Sequence, residues 1–249
     1  MNNLGARVYG LGAIAMGIAG LLWADFALGG LAPPDTLPGR ALLAYIVAGL
    51  LLAGGLLIQF RRNWGAILLT VFFALDFVLL DLMPLLRHVT DFGYWESGVE
   101  PLALAAAGLI AFAPPRVARI AMVVFGGCLI VFGAAHFVYA TFSATFVPKY
   151  MPPSQIVWVY VTGVAAIAAG LAIISGVQAL LGARLLTLMY VLFQFMVHVP
   201  FVLAPHANHG NWVEFVVNLA LTGAAWIVAD ALAARQAPIR MFHASRGMS

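Results

Sequence analysis

Residues 95–113, WESGVEPLALAAAGLIAFA, and residues 212–230, WVEFVVNLALTGAAWIVAD, align without a gap and agree at seven of nineteen positions. In so apolar an alphabet chance gives roughly two agreements, so the pair reads as an internal duplication. Each run is also apolar over about 20 residues, the length a helix needs to cross hydrocarbon. The correspondence extends towards the N-terminus. Thr70 meets Thr187 at the same offset of 117, Gly49 meets Gly163 and Pro38 meets Pro152 at 114, and Asp25–Phe26 meets His136–Phe137 at 111.

Composition says what solvent these runs face. Apolar residues make up 64% of the 249 and charged residues only 8%, with a mean hydropathy of +1.02, against the quarter or so of charge in a soluble domain. Eight apolar stretches are expected, at about 6–30, 40–60, 64–86, 98–114, 117–141, 154–175, 180–203 and 212–233. In lipid each must satisfy its own backbone groups, which a helix does. The first stretch is long enough to remain a span, and no cleavable leader pattern precedes it. The predicted fold is all-α: a polytopic membrane protein of eight transmembrane helices in two four-helix repeats, residues 1–114 and 115–249. Four spans is an even number, so the repeats enter the membrane from the same side and are parallel.

Basic residues orient the chain, because Lys and Arg are retained on the cytoplasmic side. With the N-terminus inside, Arg7, Arg61, Arg62, Arg116, Arg119, Arg184, Arg235, Arg240 and Arg246 fall inside, and only Arg40, Arg87 and Lys149 outside. Both termini are therefore expected in the cytoplasm, at the inner membrane. The basic pI near 9.3 follows from topology and calls for no nucleic acid. Cys128 is the only cysteine, so no internal disulfide or dithiol motif exists, and electron chemistry would need a cofactor or a partner subunit.

Charge in hydrocarbon costs about 2.5–3.5 kcal/mol per residue even on insertion scales, so ionisable residues inside spans point to function. Asp25, Asp81, His136 and His198 each fall five or six residues before the expected outer ends of helices 1, 3, 5 and 7, one layer roughly 8 Å deep. The repeat pairs Asp25 with His136 and Asp81 with His198. Imidazole and carboxylate at one depth suit a metal, a haem held by His136 and His198, or a quinone whose oxygens exchange protons with them. Pairing across helices is the purely structural alternative, and no metal-ligand spacing favours the metal. Gln194 lies one turn before His198 and adds a polar stripe. Glu100 and Glu214 are expected to open helices 4 and 8 on the same outer side, as cofactor contacts or as acidic helix starts. Asp76, five residues before Asp81, is expected on another face of a regular helix. His206 and His209 belong to a turn. The prolines of TFVPKYMPP (145–153) stop helix 5 and turn the chain over the outer mouth, with Phe142, Phe146 and Tyr150 as a lid or as interface anchors.

GAAHFVYATFSATFVPKYMPP (133–153), VYVTGVAAIAAGLAII (159–174) and VLFQFMVHVPFV (191–202) resemble the DoxX-like family of four-helix membrane proteins. The shared features are an HF pair, a VP…P loop, a glycine in the next helix and a His-x-Pro near the end of the third. The resemblance covers helices 5 to 7 directly and helices 1 to 4 through the repeat. It implies a tandem pair of such bundles, with His136 and His198 in the family's histidine positions and Asp25 and Asp81 in their place in the first copy. Some relatives serve as the membrane subunit of a thiosulfate:quinone oxidoreductase, and others are linked to oxidative stress or thiol maintenance. The resemblance thus implies a quinone-binding or quinone-linked redox subunit in which His136, His198, Asp25 and Asp81 act on the ring and its protons. A lipid or apolar-molecule carrier and a metal-dependent membrane enzyme are the alternatives.

Overall fold

The structure, a computed structural model, describes residues 4–60 and 62–246, with side chains through residue 236. Arg61 and the side chains of Arg240 and Arg246, assigned above to the inner face, lie outside the described residues. So do the two chain ends. The described residues form helices and the turns between them, with no strand among them. The long helices are α1 (Leu4–Trp23), α2 (Arg40–Phe60), α3 (Arg62–Arg87), α4 (Phe92–Phe112), α5 (Pro115–Val138), α6 (Gln155–Ser175), α7 (Ala179–Val202) and α8 (His209–Arg246).

Seven of these are long and apolar enough to cross a membrane. The one expected span not among them is α4, which has 21 residues but carries Glu96, Glu100 and Pro101 in its first half. Several ends also differ from expectation. Helix 4 starts at Phe92 and helix 8 at His209, so Glu100 and Glu214 lie inside their helices and do not open them. Helix 1 stops at Trp23, well short of residue 30. Ala24 there adopts a left-handed φ of 51°, and Gly29–Gly30 with Pro33–Pro34 prevents the helix from resuming.

Consecutive helices pack against one another from α1 to α8. α8 then packs along α1, and α4 touches α8 across the middle. Burial sorts the helices by place: 72% of the apolar window of α8 is inside the protein, against 28% for α3 and for α7. With no water to drive helices together in lipid, close approach of small residues holds the centre: Gly12 of α1 sits buried against Ala220 of α8, and Gly223 of α8 against the backbone of Tyr9. The outer helices turn Leu42, Ile46, Leu185 and Leu188 outward, as lipid-facing surfaces require.

α3 and α7 share an irregularity. Each contains one π-helical turn, Phe77–Asp81 and Gln194–His198. Pro84 and Pro200 follow, and a proline ring clashes with the carbonyl four residues before it. Those carbonyls, of Leu80 and Met196, lie within the two π turns, where the wider i→i+5 bonding takes up the misfit. Leu82 N–H donates to Phe77 O, and Val199 N–H to Gln194 O.

Candidate functional site

A cavity of about 400 Å³ lies among α5, α6, α7, α8 and the strap of residues 143–151. Its walls are apolar, with His136, His198 and Glu214 supplying the chemistry. A volume of this size suits a small organic molecule. Val161, Leu185, Leu188 and Leu192 line it and are also about half exposed, so the cavity opens sideways between α6 and α7, towards lipid.

His136 sits in the last turn of α5, where its Nδ1 lies 2.8 Å from Phe132 O. A carbonyl oxygen only accepts, so Nδ1 carries the proton, and Nε2 of the neutral ring is left as an acceptor. α6 comes close enough to hold this ring because it offers Gly163, where a Cβ would lie 2.8 Å from the His136 Cβ. His198 ends the π turn of α7 and makes no hydrogen bond among the described residues, so its ring can donate or accept. Glu214 is exposed where it lines the cavity and lies within electrostatic reach of Glu100.

The strap resolves the choice between lid and anchor by residue. Phe146 lines the cavity and packs on Phe201 with ring centroids 5.6 Å apart, whereas Phe142 and Tyr150 are exposed. Gln155 Nε2 fixes the strap by donating to Ala144 O at 2.9 Å and Val147 O at 2.5 Å. Trp158 Nε1 donates to Pro152 O at 2.8 Å, which sets the indole against the same space.

The four layer residues divide into three environments. His136 and His198 line the cavity; Asp25 and Asp81 do not. Asp25 stands beyond the end of α1, one-third exposed, with Arg40 NH1 at 2.5 Å and His209 Nδ1 at 3.8 Å. It is not within a span as expected, because helix 1 ends at Trp23 and not near residue 30, and its contact with Arg40 is an ion pair in the connection between α1 and α2.

Asp81 is fully buried. Its Oδ1 accepts from Ser97 Oγ at 2.7 Å and from Leu31 N–H at 3.2 Å, while Oδ2 has no hydrogen-bond partner. Leu31 reaches it because the chain after α1 turns inward at Phe26, Ala27 and Leu28, which are buried, before Gly29 returns to the surface. The carboxylate of Glu100 occupies the space that a Cβ on Gly29 would fill. Asp76 and Asp81 were expected on different faces, but the π turn stacks residues five apart and brings them within electrostatic reach.

Gln194 is buried and engaged elsewhere: Asn218 Nδ2 donates to its Oε1 at 2.6 Å, and its Nε2 donates to Phe215 O at 3.3 Å. It locks α7 to α8 and does not line the cavity. Glu100 likewise lies beside the cavity, among Asp81, Glu96 and Glu214. Sequence reasoning passed over Ser97, Arg40 and Trp158, whose roles depend on where residues 24–31 and the strap run. Among the described residues no group of three or more His, Cys, Asp or Glu is placed to hold a metal ion.

A family model described as a domain of unknown function (DUF8561) matches residues 125–235, a stretch that runs from α5 into α8 and contains His136, His198 and Glu214. No curated protein and no solved structure matches the chain.

Proposed function

We propose that the chain binds a quinol or quinone in the cavity between α5 and α8, and that His136, His198 and Glu214 hold the head group and exchange its protons. The observation that carries this reading is the cavity itself: mostly apolar walls, a sideways opening at α6 and α7, and three ionisable side chains. His136 Nε2 is an acceptor that matches one hydroxyl of a quinol; His198, whose ring can accept or donate, matches the other hydroxyl or its oxidised carbonyl, and the Glu214 carboxyl group takes part in proton exchange. A single buried cysteine offers no dithiol, so an electron-transferring partner would complete a redox cycle.

The same proposal includes eight spans, with α4 as the eighth, in two fused DoxX-like units, 1–114 and 115–249, at the inner membrane with both termini cytoplasmic. Supporting the duplication, the two π turns start and end 117 residues apart, the offset at which residues 95–113 and 212–230 align. The contacts also match: α1–α2, α2–α3 and α3–α4 recur as α5–α6, α6–α7 and α7–α8, while α4–α5 recurs as α8–α1.

Extraction from protein purified in mild detergent tests the functional reading. Quinone recovered near one per chain, and quenching of Trp158 fluorescence by an added benzoquinol, are the expected results. Phospholipid recovered without quinone, and no quenching, would overturn the reading in favour of a lipid carrier, which the sideways opening would also serve.

A further inference from the structure

We infer that the first half holds a second copy of the ligand cavity, closed by the chain's own segment Phe26–Leu31, and that it takes the same class of molecule when that segment is withdrawn. The inference rests on the duplication and quinol binding proposed above. At an offset of 117, Asp81 and Ser97 correspond to His198 and Glu214. His198 and Glu214 line open space; Asp81 and Ser97 are bonded to each other, and Asp81 also receives Leu31 N–H. A backbone amide thus sits at Asp81 where the second half leaves room for a head group.

The fit of the segment is that of an occupant. Phe26 and Leu28 are buried, and Gly29 and Gly30 carry no side chain where the Glu100 and Asp81 carboxylates approach. The fit is also incomplete, since Asp81 Oδ2 is fully buried without a partner. At the deep end, Leu51 is buried at the position of Ala165, 114 residues on, which lines the open cavity. The second half has no equivalent insertion, because α5 continues to Val138 and its strap passes over the cavity.

The test withdraws the occupant in the full chain. In a Cys128→Ala background, Leu28→Cys reports the position of the segment. Phe26→Ser removes its other apolar anchor, and Leu51→Ala clears the deep end. A membrane-permeant maleimide is expected to label Cys at 28 slowly in the single-probe chain and at least tenfold faster once Phe26→Ser and Leu51→Ala are added. Isotope-labelled short-tailed benzoquinol is expected to bind at one per chain before and two per chain after. Adding His136→Phe and His198→Phe should then weaken one of the two roughly 30-fold and leave the other unchanged. Labelling that rises while binding stays at one per chain overturns the second cavity, and labelling that does not rise overturns the segment as its closure. No binding to the starting chain defeats the functional reading separately.

Discussion

Replacing His136 and His198 by Phe, singly and together, tests the cavity where its chemistry is concentrated. Leu185, Leu188 and Leu192 stand half exposed at its opening, so a ligand of the proposed kind would enter between apolar side chains, from the lipid side. An isoprenoid tail that leaves acyl chains for this wall exchanges one apolar surrounding for another and gains little. Affinity beyond simple partitioning then depends on the head group. A hydrogen bond to an imidazole contributes about 1 kcal/mol net, or about fivefold in Kd. The two rings are assigned different oxygens of the head group, so two such bonds lost together amount to about 2 kcal/mol, roughly 30-fold. Phenylalanine keeps an aromatic ring in place, so the walls stay filled. Trp158 supplies the assay, because its indole is fixed by Pro152 O beside the ligand space. Benzoquinol titrated into protein in nanodiscs should quench it with a midpoint that moves about fivefold for each single variant and roughly 30-fold for the double. Trp158→Phe should remove the signal. A double variant whose midpoint stays within about twofold of the native one refutes the assignment of the head group to these rings.

Four further outcomes are expected. Asp81→Ala takes away the buried acceptor for Ser97 and Leu31, and should cost about 2–4 kcal/mol in detergent unfolding, whereas Asp25→Asn, in a partly exposed ion pair, should cost less than about 1 kcal/mol. Equal losses would contradict the separation of the two aspartates. Gly163→Val places a side chain against His136 and should destabilise the protein by about 1–3 kcal/mol while weakening quinol binding, which the Trp158 titration measures. Gln194→Leu or Asn218→Leu alone should each cost about 1–3 kcal/mol, and the double variant less than their sum, since neither partner is then left unpaired. Quinol affinity should not change in either Gln194 variant, because that amide is absent from the cavity wall.

The all-helical fold and the apolar helices of spanning length, seven among the described residues, were legible in the sequence because each rests on a pattern longer than one turn. What escaped reading depends on single turns. Nothing in the apolar run before Asp25 marks Trp23 as its end, since Ala24 can continue a helix and the breakers Gly29 and Gly30 come later. The 100° per residue of a regular helix separates Asp76 from Asp81, and only the π turn reunites them. Pro84 and Pro200 were the available signal, because each places its steric clash inside the turn that widened. Ser97 escaped for another reason. Its partner is on α3, and a hydroxyl in an apolar helix gives no periodic cue to the neighbour it faces.

The two halves, compared at matched positions, suggest why one would be kept as structure and the other as a site. Asp81 with Ser97 is a carboxylate with a hydroxyl, a pair that can satisfy a peptide N–H and so secure an inserted segment. His198 and Glu214 are an imidazole and a carboxyl group on the wall of one cavity, with nothing bonded to the imidazole among the described residues. The first pair favours a fixed occupant, because a buried carboxylate left without donors is costly. The second tolerates an exchangeable one, because a neutral imidazole can donate or accept and so can match either redox state of a quinone. On the duplication and quinol binding proposed above, divergence at two residue pairs, Asp81/His198 and Ser97/Glu214, would divide the bundle into a closed half and an open half that binds.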